Sequence, residues 1–182
     1  MRVSHLPLFG RQHSTLRSNR VLCVDSCLLR DKSVVVAAAC ESGHVRLYCS
    51  ISDSMSLYWA GAVQSAADPT SPVLSCSLVP QHSSMQRQLF LIILSCGGVA
   101  EVCVIHFIRM GSSGPPVVRL KQRKRILGAH NYCHLCTIII PNSDGCCVAL
   151  TDDVGTLHCW QVGRGGRTAK WYDLCISSTQ RR

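Results

Sequence analysis

Apolar residues along this chain gather in short runs broken by turn residues, and no long window repeats at helical spacing. Val34 to Cys40 and Leu89 to Leu94 are nearly continuous, as expected for strands covered on both faces. Val45-Arg-Leu-Tyr-Cys49 instead alternates apolar and polar positions, the mark of a half-buried strand. The punctuation is Glu41-Ser-Gly43-His, Gly97-Gly98, Pro141-Asn-Ser-Asp-Gly145 and Thr151-Asp-Asp-Val-Gly155. The pattern predicts strands over 21–29, 34–40, 45–49 and 56–63, then over 73–79, 88–96, 99–105 and 117–127. Three short strands between His130 and Val162 follow, with an outer one over 169–176. An all-β chain results.

The turn glycines Gly43, Gly98 and Gly155 recur at steps of 55 and 57 residues. This divides the chain into a loose basic tail over 1–19, units over 20–64, 72–127 and 128–176, and a short tail over 177–182. The stretch from His130 to Gln161 reads as one propeller blade of the WD type, with a leading His and a Trp five residues past the turn glycine. WD repeats are commonly about 40–45 residues, so loops carry the excess here. At the corresponding places in the other units stand Tyr48 and Cys103, so the repeat is worn. In a WD blade a buried polar chain links His, Ser/Thr, Asp and Trp; here His130, Thr151, Asp152 or Asp153, and Trp160 are its candidates. Val154 occupies the place before the turn glycine where Asp is usual. The expected architecture is a partial WD40-type β-propeller of about three four-stranded blades. Three blades do not close a ring; if the chain is complete, apolar faces and strand edges are left bare, and expressed alone it is expected to be poorly soluble or oligomeric.

Composition narrows this further. A hydrophobic fraction of 47% with 16% charged residues excludes a disordered chain. No run approaches the roughly 18 apolar residues of a spanning helix, and residues 1–10 lack a signal core. The expectation is a cytoplasmic chain, neither secreted nor bound to membrane. Its 13 cysteines are odd in number and mostly lie inside apolar runs, which points to reduced thiols acting as small hydrophobes.

The net charge of +9 and pI of about 9.1 fit an anionic partner. The densest patch runs from Arg119 through Lys121, Arg123 and Lys124 to Arg125. Strand alternation puts Arg119, Lys121, Arg123 and Arg125 on one face, a ladder able to neutralise several phosphates or simply to guard an outer edge. The cluster His130-x2-Cys133-His134-x-Cys136 holds soft ligands, but alternation places Cys133 opposite His134 and Cys136, and no metal is expected. Asp152-Asp153 are turn formers, and Gly163-Arg-Gly-Gly-Arg167 reads as a loop with a weak likeness to RNA-binding glycine-arginine patches. No nucleophile elbow, phosphate loop or His-Glu-x-x-His occurs, so neither catalysis nor a cofactor is expected.

Three segments carry a more specific likeness: Val35-Val-Ala-Ala-Ala-Cys-Glu-Ser-Gly-His-Val-Arg-Leu-Tyr48, the Gly128-Ala-His130 opening, and Lys170-Trp-Tyr-Asp173. Together they resemble the C-terminal blades of the WD-repeat regulatory subunits of tRNA wobble-nucleotide 2′-O-methyltransferases, over roughly residues 20–175. The resemblance implies a non-catalytic scaffold that binds an FtsJ-type tRNA 2′-O-methyltransferase and helps present tRNA. Methyl-donor binding would then belong to the enzyme, and the remaining blades to a longer chain. The alternative reading is a WD40 protein-docking module with no RNA role.

Overall fold

The computed structural model describes residues 20–50, 56–66, 70–81, 88–109, 114–126, 131–140, 145–163 and 166–175, the side chains of 171–175 excepted. Twelve strands form three four-stranded antiparallel sheets, each a simple meander. Blade 1 contains β1 (Val21–Leu28), β2 (Val34–Cys40), β3 (His44–Ser50) and β4 (Leu57–Gln64). Blade 2 contains β5 (Val73–Pro80), β6 (Gln88–Ser95), β7 (Val99–Arg109) and β8 (Pro116–Ile126). Blade 3 contains β9 (Tyr132–Ile139), β10 (Cys146–Asp152), β11 (Thr156–Gly163) and β12 (Arg167–Cys175). The Gly-Arg segment read as a loop is the β11–β12 connection, where Gly163 already pairs with Arg167.

The blades stack face to face in chain order, with blade 2 between blades 1 and 3. Val35, Ala37 and Ala39 of blade 1 meet Leu89, Leu91 and Ile93 of blade 2 in one apolar layer. The alternate residues Phe90, Ile92 and Leu94 meet Val148, Leu150 and Trp160 of blade 3 in the next. Strand β6 is therefore apolar at every position from Leu89 to Leu94, all fully buried, because both of its faces are interior.

A polar seam joins the three first strands. Asp25 of β1 accepts hydrogen bonds from the Leu78 amide (2.7 Å) and the Ser77 hydroxyl (3.1 Å) of β5. Ser77 Oγ also lies 2.6 Å from Thr137 Oγ1 of β9. A hydroxyl has one proton, so with Ser77 donating to the carboxylate, Thr137 donates to Ser77. One serine thus ties all three blades.

The same turn closes each central hairpin: Gly43, Gly98 and Gly155 donate to the carbonyls of Cys40, Ser95 and Asp152 at 3.1–3.2 Å. All three glycines have positive φ, at 81°, 73° and 87°. Their surroundings differ. A Cβ on Gly98 would lie 2.5 Å from the backbone of Asn131 and Tyr132, which enter blade 3, whereas one on Gly155 meets nothing within 4 Å.

Two outcomes follow from this packing. Phe90→Ala should cost about 3–5 kcal/mol in denaturant titration, since the site cannot collapse from either side. Gly155→Ala should cost only the backbone strain of about 1–2 kcal/mol, and Gly98→Ala clearly more, because its methyl strikes backbone.

Candidate functional site

Of the residues expected to form a polar chain in blade 3, Asp152 is the one the structure places in a network, and its partners are others. His130 lies outside the described residues. Thr151 pairs across the sheet with Leu157, while Trp160 pairs with Val148, so the two side chains stand on opposite faces and cannot belong to one chain. Thr151 Oγ1 and Trp160 Nε1 are both buried with no hydrogen-bond partner among the described residues. Trp160 packs against blade 2 and has the Lys170 ammonium 6.0 Å from its ring centre. Asp153 is exposed and contributes its amide, to Asn131 O.

Asp152 is the centre of the network. Its Oδ1 accepts from the amides of Val154 (3.1 Å) and Thr156 (2.7 Å), pinning the turn, and its Oδ2 lies 2.9 Å from His158 Nε2. An ionised carboxylate only accepts, so Nε2 carries the proton. The Tyr132 ring meets the imidazole edge-on at 5.5 Å. The hydrogen bond from His158, with those of Thr156 and Val154, holds the Asp152 carboxyl down to about 2, against an opposing effect of desolvation.

His158 was not anticipated from the sequence, yet its position recurs. It stands three residues past its turn glycine, and Asp152 three before. The same offsets give Ser95 and Glu101 in blade 2, and Cys40 and Arg46 in blade 1. Glu101 is fully buried; its carboxylate accepts from the Ala66 amide at 3.2 Å and from Ser65 Oγ at 3.4 Å. Ser65 Oγ is in turn 2.8 Å from Ser95 Oγ. In blade 1, burial pushes the Cys40 thiol up while neighbouring Arg46 pulls it down. Each blade therefore carries a polar pair bracketing its turn, and in blades 2 and 3 the pair shares the face packed on the preceding blade.

The basic strand departs from strict alternation. Val104 pairs with Gln122 and Ile105 with Leu120, so Lys121 is the extra residue of a β-bulge in β8. Arg119 pairs with His106, whereas Arg123 and Arg125 pair with Cys103 and Glu101, on the other face of β7. The single ladder of Arg119, Lys121, Arg123 and Arg125 does not exist. Burial, with Lys121 and Arg119 close by, lowers the pKa of His106. Arg123 serves the fold: its Nη2 donates to Gln64 O of blade 1 at 2.6 Å. Arg119, Lys121 and Arg125 are exposed on the outer strand, and Lys124 is half-buried.

Among the described residues no group of three or more His, Cys, Asp or Glu side chains is placed to hold a metal ion. Burial pushes the thiols of Cys27, Cys76 and Cys146 up to about 12 and that of Cys103 to about 11, which leaves them protonated and unreactive.

The Asp152 carboxyl gives a signed pH dependence. Its folded value of about 2 lies below the ordinary 3.8, so it stabilises the fold fully above that ordinary value and less as pH falls through this window toward 2. Urea titrations of Asp152→Asn between pH 5 and 2 should show lower stability at the upper end and a shallower acid limb than the parent. Trp160→Phe removes an indole N–H with no hydrogen-bond partner among the described residues, and should cost under about 1.5 kcal/mol.

No protein-family model matches the chain, and no curated protein matches it in sequence. Solved structures do. Saccharomyces cerevisiae Sqt1 is similar at 17% identity with a TM-score of 0.53, over 87% of this chain and 36% of that one. The WD40 domain of SCAP from fission yeast aligns at 11% identity with a TM-score of 0.48, over 81% of this chain and 38% of that one. This chain thus spans little more than a third of the length of Sqt1. Blade architecture and the likeness to Sqt1 agree: the fold is a partial WD40-type β-propeller, with three four-stranded blades among the described residues.

Proposed function

We propose that the chain is a non-catalytic scaffold that binds an FtsJ-type tRNA 2′-O-ribose methyltransferase in the cytoplasm and helps position tRNA for wobble-nucleotide methylation. The propeller fold is one that supports a protein-interaction scaffold, since its stacked sheets offer broad surfaces without themselves being a catalytic apparatus. The methyltransferase part rests on the resemblance carried by Val35–Tyr48, Gly128–His130 and Lys170–Asp173. The observation that carries the RNA part is strand β8, which exposes Arg119, Lys121 and Arg125 on the outer rim of blade 2. Side chains of this kind bind phosphate through charge and fix a polyanion's position without reading its bases. Methyl transfer and S-adenosylmethionine binding belong, on this reading, to the partner enzyme.

A second reading, a WD40 protein-docking module with no RNA role, is favoured by one specific observation. The bulge at Lys121 divides the cations between two faces, and Arg123 is already held by Gln64 O.

tRNA binding measured across a salt series separates the two. The parent chain should bind with a steep salt dependence. Arg119→Gln/Lys121→Gln/Arg125→Gln should flatten the slope of log K against log salt by about 2–3 and leave methyltransferase capture intact. Indistinguishable tRNA binding by variant and parent would favour the second reading.

A further inference from the structure

The seam between blades 1 and 2 reaches the rim of the molecule between the outer strands β4 and β8. Its centre is the apolar layer that joins Leu47 and Cys49 of blade 1 to Ile105 and Phe107 of blade 2. At the rim the two strands run in the same direction: Gly61 stands against Val118, and Gln64 O accepts from Arg123. Tyr58 pairs with Cys49, so its side chain is on the side of blade 1 that faces blade 2. Leu120 pairs with Ile105, and Arg109 lies two residues past Phe107, which sets both toward blade 1. Arg123, paired with Cys103, shares that side. Tyr58 is 39% exposed and Leu120 41%, so apolar surface remains open to solvent along the rim between the two arginines.

The guanidinium groups are only partly satisfied. Nε and Nη2 of Arg109 and Nε of Arg123 are buried, and no described residue accepts a hydrogen bond from them. A charged donor shut away from water without an acceptor is costly, and an arginine fork is matched best by a carboxylate that takes two parallel bonds. Two carboxylates of this seam are already engaged: Asp25 holds Ser77 and Leu78 at the inner strands, and Glu101 holds Ser65 and Ala66 beside the turn. From Pro116, the partner of Arg109, to Arg123 is seven residues along β8, one of them the bulge at Lys121, or about 20 Å of strand. An extended peptide covers that distance in about six residues and turns every second side chain to the same side.

We propose that the rim of the blade 1–blade 2 seam binds an extended acidic segment of a partner protein, one carboxylate on Arg109 and a second on Arg123, with apolar side chains between them against Tyr58 and Leu120. Charge and spacing both select this occupant. Cationic donors lie at the two ends, and the stretch between them is apolar, whereas a polynucleotide would bring a phosphate to every residue of its backbone. The surface is separable from the one that carries the tRNA reading. Arg119 pairs with His106 on the opposite face of the sheet, and Lys121 is on the bulge. Loss of either surface leaves the other in place.

Saturation-transfer difference NMR on the full chain tests this, with the synthetic peptide Ser-Glu-Thr-Leu-Thr-Leu-Thr-Glu-Ser as probe. Its two glutamates are six residues apart, and both leucines share their side of the extended chain. The leucine methyls should take up saturation strongly, with a dissociation constant below about 1 mM. The same peptide with both glutamates replaced by glutamine should bind at least about tenfold more weakly. Leu120→Asp changes a side chain that is already exposed, so it spares the fold and should abolish transfer to the leucines. Arg109→Lys keeps the charge but loses the fork, and should weaken binding at least about fivefold. No transfer to the parent's probe, equal binding of the glutamine peptide, or parental binding by both variants would each overturn the proposal. Displacement of the peptide by octauridylate, abolished in Leu120→Asp, would assign the rim to nucleic acid and overturn it as well.

Discussion

Everything in this structure depends on sheets that must bury both faces at once. A four-stranded meander with apolar residues on each side cannot exist alone in water; it holds its shape through its neighbours. Blade 2 shows the condition satisfied, with β6 fully buried from Leu89 to Leu94 by blades on either side. Among the described residues, blades 1 and 3 are each covered on one face by blade 2. Burial on both faces makes β6 a strand that opens late in local unfolding.

Apolar layers supply cohesion but little specificity, because one flat aliphatic sheet resembles another. Specificity comes from polar groups at fixed places. At the first strands, Ser77 accepts from Thr137 and donates to Asp25, so three blades share one hydroxyl's hydrogen-bonding capacity. At the central turns, Asp152 organises two amides and an imidazole, while Glu101 receives an amide and a hydroxyl from the segment leaving blade 1. Buried polar groups of this kind tolerate few alternative arrangements, since each lost partner carries a desolvation cost.

Strand order and blade count were legible because turn chemistry and apolar runs are local signals. Gly43, Gly98 and Gly155 announce the hairpins, and the unbroken apolar run in β6 announces a doubly covered strand. The polar network was not legible in the same way. His158 sits inside Thr-Leu-His-Cys-Trp, where alternation is blurred by Cys and Thr, so nothing local told which face it takes. Glu101 did leave a trace, as a lone carboxylate within Val99-Ala-Glu-Val-Cys-Val-Ile105; such a residue is either an error of register or a satisfied buried charge. The bulge in β8 left none. From Arg119 to Arg125 nearly every residue is polar, and a phase slip of one residue in a polar strand changes no hydrophobic pattern.

The bracketing pairs also give every blade its own address. Thiol with guanidinium, hydroxyl with carboxylate, and carboxylate with imidazole are not interchangeable, and Glu101 is satisfied by Ser65 and Ala66, which only blade 1 delivers. A nascent chain that docked its blades in the wrong sequence would strand the buried Glu101 side chain without its partners, a penalty of about 1–3 kcal/mol for an unsatisfied buried group. Repeat proteins are prone to such misassembly, because similar modules compete for the same neighbours. In this chain the wear that makes the repeat hard to recognise is also what sorts its members.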